Sequence, residues 1–236
     1  MTTRRVPTML LLFSLVTGPP ALAQTTRSSD PGPSPTLGAR PPADARTIVL
    51  FDGEVWEGWR QRNGQSSGWK VQDDRSVLVS GGDAITTREF GDIQLHIEFA
   101  CPIMPGKEGQ ARGNSGVYLL GRYEVQVLDT YGLPVSNNGC GALYSIAPPL
   151  VNASRPPGSW QSYDIIFRAP RINESGAVTE PARATVIHNG IVIHNNRSLP
   201  TTTPGGLNRE FETRGPLLLQ HHGDPVRYRN IWLREL

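Results

Sequence analysis

The chain has 236 residues, 37% of them hydrophobic, and a formal net charge of +2. Its charges are scattered and nearly balanced, which excludes the electrostatic footprint of a nucleic-acid binder or an anionic-membrane binder. With 25 Gly, 21 Pro and few helix-forming runs, the composition fits short strands joined by turns, and about 200 residues suit one all-β domain.

Residues 1–23 read as a secretory signal. Arg4 and Arg5 make a positive start, residues 9–16 a short apolar core, and Ala21-Leu22-Ala23 a small-x-small cleavage site. The apolar run is far shorter than the ~20 residues a membrane span needs. The expectation is therefore an exported chain, periplasmic or secreted, with no span after cleavage. Residues 24–45 are rich in Ser, Thr, Pro, Gly and Ala. They bury too little apolar surface to fold, and are expected to form a disordered linker. The domain is expected over 46–236.

Alternation dominates from there. Residues 47–51 and 76–80 read as strands. Residues 93–99 place Ile93, Leu95, Ile97 and Phe99 on one face and Gln94, His96 and Glu98 on the other, which predicts a half-buried strand. Residues 115–120 and 123–128 flank Gly121-Arg122 as a hairpin. Strands are predicted over 160–167, 182–188 and 191–194. Asn189-Gly190 supplies a type I′ turn between the last two. Residues 217–220 and 226–233 complete the set, and 139–149 and 200–215 read as long loops. About a dozen such strands imply two antiparallel sheets packed face to face. Cys101 and Cys140 stay open between a disulfide and two buried thiols, because spacing in sequence does not report distance in the fold.

The hairpin carries the most chemistry. With Val117, Leu119, Val125 and Val127 turned to the core, Tyr118, Glu124 and Gln126 share the opposite face. A carboxylate, an amide and a phenol side by side suit sugar hydroxyls and proton transfer, although the pattern alone fits a plain solvated face better. His96 and Glu98 share a face as a possible base pair or ligand pair, or as another wet face. Gln220-His221-His222-Gly223 ends a strand with adjacent imidazoles. His188 and His194 are expected at exposed strand positions, and Trp56, Trp59 and Trp69 in the core. A strand-borne Glu-x-Asp-x-x-Glu would signal a two-carboxylate glycosidase. The comparable stretch here, Glu124 to Asp129, has Gln126 in the middle, so a retaining mechanism with paired carboxylates loses support.

Taken together, several motifs resemble the 3-keto-disaccharide hydrolase domain family. They are Leu50-Phe51-Asp52-Gly53 with Gly58-Trp59, Gly113-Asn114-Ser115-Gly116-Val117-Tyr118, Gly121-Arg122-Tyr123-Glu124-Val125-Gln126, Trp160-Gln161-Ser162-Tyr163-Asp164 and Gly223-Asp224-Pro225-Val226-Arg227-Tyr228. The resemblance spans residues 47–236 and implies a concanavalin A-like jelly-roll β-sandwich. It also implies cleavage of 3-keto-glycosides or 3-keto-disaccharides by proton abstraction at C2, elimination and hydration. The substrate would come from an upstream sugar 3-oxidoreductase. On that reading Glu124, His222 and Glu98 are the catalytic candidates. Asn114, Tyr118, Gln126, Gln220, Arg227 and His96 are expected to bind the sugar, and a divalent cation to steady the enolate, with ligands left open. Similar sequences carry Gln-Asp-His-Gly where this chain has Gln220-His221-His222-Gly223, so His222 matches the pattern and His221 does not. A non-catalytic carbohydrate-binding module and an envelope adhesion domain use the same fold and stay open as alternatives.

Overall fold

The computed structural model describes residues 1–2 and 44–236. Residues 3–43, which carry most of the expected signal and linker, lie outside the described residues. Among the described residues no helix is long and apolar enough to cross a membrane.

Among the described residues fifteen strands follow in chain order: β1 (Thr47–Phe51), β2 (Trp59–Arg60), β3 (Lys70–Val71), β4 (Val77–Leu78), β5 (Ala84–Phe90), β6 (Ile93–Ala100), β7 (Ser115–Leu119), β8 (Tyr123–Val127), β9 (Gln161–Arg168), β10 (Arg171–Ile172), β11 (Val178–Glu180), β12 (Ala182–His188), β13 (Ile191–Leu199), β14 (Gly215–Leu219) and β15 (Arg227–Glu235). Eight form one sheet in the order β13-β12-β9-β6-β15-β4-β3, with β1 also on β15. Five form a second, β2-β5-β14-β7-β8, and β10-β11 is a separate ribbon. The pairings are antiparallel throughout, and the architecture is the expected jelly-roll sandwich. β5 has no counterpart in the sequence reading, because Thr87-Arg88-Glu89 interrupts its apolar alternation.

The core lies between the two larger sheets. Ile93, Leu95, Ile97 and Phe99 of β6 meet Val117, Leu119, Val125 and Val127 of the hairpin, each no more than 1% exposed. Each such side chain contributes about 1.5–3 kcal/mol on burial. Trp56 stacks on Trp59 at 4.4 Å between ring centroids and on Trp69 at 5.6 Å, closing one edge of this core. Asp44, assigned to the linker, accepts a hydrogen bond from Arg234 Nη2 at 2.7 Å.

The type I′ turn forms as expected, with φ of 52° at Asn189 and 81° at Gly190. Its flanking histidines do not behave as expected. His188 is 0% and His194 3% exposed. The 139–149 loop and the β9 side chains cover them: His194 Nε2 donates to the Gly141 carbonyl, and His188 Nε2 pairs with Gln161 Oε1. Burial pushes the His188 imidazole down to about 3, so it is neutral.

Cys101 and Cys140 are both buried free thiols, and Cys140 Sγ sits 3.2 Å from the Tyr163 hydroxyl. Burial raises both thiols, which suppresses the reactive thiolate. A thiol reagent added without reductant is expected to find no thiol in the native protein and both after denaturation. Ellman titration with and without guanidinium checks this.

Candidate functional site

The β7–β8 hairpin builds the site. In its register Tyr118 lies directly opposite Glu124, and Gly116 opposite Gln126. Directly opposed side chains on a sheet lie within about 5 Å of each other, so phenol and carboxyl meet across the pair. The Tyr118 hydroxyl is 2.7 Å from Glu124 Oε2, accepts from Gln220 Nε2 at 3.1 Å and lies 3.0 Å from the Pro204 carbonyl oxygen. Room for this depends on two glycines. A Cβ at Gly116 would collide with Glu124 Oε1, and one at Gly205 would sit 2.5 Å from the Tyr118 oxygen.

Glu124 is 3% exposed. Burial raises its carboxyl from the usual 4.5 to about 8, against a smaller opposing effect of the Tyr118 hydrogen bond. Burial and the Glu124 charge raise the Tyr118 phenol, which stays protonated. That single phenolic proton creates an alternative. It bonds the Glu124 carboxylate, or it turns to Pro204 while a protonated Glu124 donates to the phenol oxygen. The pair therefore has two hydrogen-bonded states that differ by one proton.

Around this pair an amide relay is oriented by the backbone. Gln126 Oε1 accepts from the Val127 N–H, so its Nε2 donates to Gln110 Oε1 at 3.0 Å. Asn114 Nδ2 donates to the Gln110 carbonyl at 2.8 Å, which leaves Asn114 Oδ1 without a partner. The pocket they line, with Tyr144, Gln220 and an exposed His222, has a volume of about 110 Å³. That is smaller than the roughly 300–1,000 Å³ typical of ligand sites, so a bound ligand would lie partly in the open mouth. Two larger open grooves beside residues 146–150 and 194–200 are lined by no carboxylate.

Six of the nine expected site residues meet here: Glu124, His222, Asn114, Tyr118, Gln126 and Gln220. Glu98, His96 and Arg227 do not. They sit on the eight-stranded sheet, and Glu98 and His96 turn away from the core on its outer face. That face is not wet as expected: Glu98 is 0% and His96 1% exposed. A bulge in β15 explains this. The register slips between Arg229, opposite Glu98, and Trp232, opposite His96. The extra residue lets Asn230, at φ 48°, reach Glu98 Oε1 at 2.9 Å, while Arg229 Nε donates to Glu98 Oε2 at 2.7 Å. Trp232 covers the His96 ring at 5.2 Å and Asp164 Oδ1 takes its Nδ1 at 2.7 Å. Arg229 and Arg227 lie over the Trp160 ring, and Arg227 also pairs with Asp74. Burial alone would lower the His96 imidazole, but the hydrogen bonds and charges of Asp164 and Glu98 outweigh it and raise it to about 9.

Gln110 and Tyr144 were absent from the sequence reading. Gln110 lies in a one-turn 3-10 helix, Gly109–Ala111, and Tyr144 in a turn, both too short for periodicity to mark a side chain as inward. A divalent cation has no ready seat: among the described residues no three His, Cys, Asp or Glu side chains cluster as ligands. Glu124 and His222 alone do not make a cation site.

Fold and pocket together define a β-sandwich with a buried carboxyl and a phenol side by side in one small polar pocket. The chain matches the family described as the 3-keto-alpha-glucoside-1,2-lyase-like domain over residues 46–234, and belongs to that family. A crystal structure from Parabacteroides distasonis ATCC 8503, provisionally described as a glycosyl hydrolase, is 42% identical at a TM-score of 0.75, covering 81% of this chain and 84% of that one. A second from the same organism, with the same provisional description, is 20% identical at 0.60, covering 80% and 94%, and shows the fold alone. No curated protein matches. The chain is thus a member of a glycoside-acting enzyme family.

Two outcomes follow for stability. The folded state keeps the Glu124 proton that the unfolded chain releases, so stability falls as pH rises from 4.5 to about 8. Glu124→Gln is expected to be more stable than the parent by roughly 5 kcal/mol at pH 9 and equal to it at pH 4, read by urea unfolding. The raised His96 contributes stability that is complete below 6.5 and lost as pH climbs through about 9. Glu98→Gln strands two cationic partners in a buried site and is expected to cost about 3 kcal/mol at pH 7. The same unfolding series run at pH 7 measures it.

Proposed function

We propose that this chain cleaves the glycosidic bond of 3-keto-glycosides, including 3-keto-disaccharides, by elimination followed by hydration. The observation that carries the reading is a buried carboxyl, Glu124, whose proton affinity is tuned by burial to about 8 beside Tyr118 in a polar pocket open to solvent. A base works best when its pKa lies near the working pH.

The ketone at C3 acidifies the C2 proton. Glu124 carboxylate removes that proton, and the C2–H electron pair moves toward C3 as an enolate. The pair returns to form C1=C2, the C1–O bond breaks, and the glycosidic oxygen departs with a proton from His222 at the pocket mouth. Water then adds across C1=C2, its oxygen to C1 and a proton to C2. Tyr118 accommodates the proton that Glu124 gains by turning its own hydroxyl from Glu124 to the Pro204 carbonyl. Gln220, Gln126 and Asn114 position the sugar hydroxyls. Only one ionisable carboxyl lines this pocket, which suits elimination better than a paired-carboxylate displacement.

The chemistry requires an oxidoreductase that oxidises C3 upstream. The signal-like first 23 residues support export, so that the partner reaction and this one share a periplasmic or extracellular space.

Glu124→Gln is expected to reduce turnover of a 3-keto-glucoside by roughly a thousandfold or more, and His222→Ala by about ten- to a hundredfold, depending on the leaving group. The parent's activity should rise with pH to a midpoint near 8. Full activity in both variants would overturn the assignment. Release of the aglycone together with uptake of solvent deuterium at C2 separates elimination from direct hydrolysis.

A further inference from the structure

Arg62 and Asp83 lie outside the pocket and take part in no step above, yet they grip both of its moving-proton elements. Arg62 follows β2 in a turn, and Asp83 directly precedes β5. Asp83 Oδ2 accepts from Arg62 Nε at 2.5 Å, and Asp83 Oδ1 accepts from the His221 N–H at 2.8 Å, next to His222. The other two guanidinium nitrogens donate to consecutive carbonyls, Nη2 to Gly205 at 2.6 Å and Nη1 to Gly206 at 3.1 Å. One planar cation thus uses three faces at once, an arrangement a point-charge ammonium cannot reproduce.

The glycines it holds press on the site from the other side. A Cβ at Gly205 would sit 2.5 Å from the Tyr118 oxygen, and one at Gly206 2.8 Å from the Gly121 carbonyl oxygen. The two residues before them also touch the acid–base pair. Pro204 offers its carbonyl to the Tyr118 hydroxyl, and Thr203 Oγ1 accepts from the Glu124 N–H. Segment 203–206 is therefore the wall that keeps water from Glu124, and from outside Arg62 fastens it to Asp83.

We propose that Arg62 and Asp83 are positioning residues that latch the 203–206 wall onto Tyr118 and Glu124 and tie the His222 turn to the same frame. The latch fixes the distance between the proton acceptor in the pocket and the proton donor at its mouth. Its catalytic consequence rests on the reaction proposed above, whereas its effect on Glu124 does not. The titratable side chains facing Glu124 in the pocket are Tyr118 on β7, Tyr144 on the 139–149 loop and His222 after β14. Arg62 and Asp83 act by charge on Tyr118, Arg62 lowering and Asp83 raising its phenol, and Arg62→Lys keeps the cation and so reports the change in geometry alone.

The test uses the full chain with Arg62→Ala, Arg62→Lys and Asp83→Asn. The Arg62 side chain is 44% exposed, so its loss leaves a surface gap and no core cavity. Carbon-13 NMR of the side-chain carboxyls, with Glu124→Gln to assign the signal, follows the Glu124 titration without substrate. Arg62→Ala is expected to lower the Glu124 midpoint by about one pH unit as water returns. It should cut kcat about 10- to 100-fold with a smaller change in KM, because sub-ångström misplacement acts on the reacting geometry. Arg62→Lys should recover part of both losses, and Asp83→Asn should fall between parent and Arg62→Ala. An unchanged Glu124 midpoint in folded Arg62→Ala overturns the latch. If that variant does not fold, unchanged midpoints in Arg62→Lys and Asp83→Asn overturn it equally. A parent inactive on 3-keto-glucosides whose Glu124 midpoint still drops in Arg62→Ala would refute the reaction and uphold the latch.

Discussion

The site depends on one carboxyl group being kept out of water. Glu124 is ionisable, central and 3% exposed. An unpaired buried carboxylate is costly, so the group holds its proton and its pKa rises. Every contact around it follows from that constraint. Tyr118 offers a neutral partner in place of a cation, which would have stabilised the charge and pulled the pKa down. Gly116 leaves room for the side chain to lie along the sheet, and the Thr203–Gly206 segment seals it. The fold tolerates this penalty because the opposite faces of the same strands bury Val117, Leu119, Val125 and Val127. The apolar side of the hairpin offsets the cost of the buried carboxyl on its other side.

The eight-stranded sheet solves the same problem differently. Glu98 is equally buried, but Arg229 and Asn230 bind it and a protonated His96 stands beside it. That carboxyl is compensated by charge, so it is fixed rather than poised. Two buried glutamates in one sandwich thus take opposite characters. One is isolated and holds a mobile proton near neutrality, and the other is locked in an ionic cluster that joins β6, β9 and β15. Environment, and not residue type, sets the two apart.

Much of this was legible in the sequence. The period-two pattern of β6, the hairpin around Gly121-Arg122 and the Asn189-Gly190 turn are local, and their residues dictate them directly. Because side chains alternate strictly along a strand, Tyr118, Glu124 and Gln126 could be placed on one face without coordinates. His96 and Glu98 were correctly placed on one face of their strand, but nothing local tells which sheet a strand joins or that a bulge in β15, well over a hundred residues away, will cover them. His188 and His194 were misjudged as exposed for a similar reason: the covering loop comes from elsewhere in the chain. β5 escaped notice because its polar centre breaks the alternation, and with it went Asp83.

The sequence by itself determined the all-β class, the jelly-roll family and the composition of the acid–base face, since these rest on short-range periodicity and on contiguous motifs. Only the tertiary structure decided that Glu124 is sealed and Glu98 neutralised, that Gln110 and Tyr144 enter the pocket, and that Arg62 reaches Gly205 and Gly206. Those outcomes come from contacts between segments distant in the chain. Burial, and with it proton affinity, is a property of whatever the rest of the fold lays over a residue.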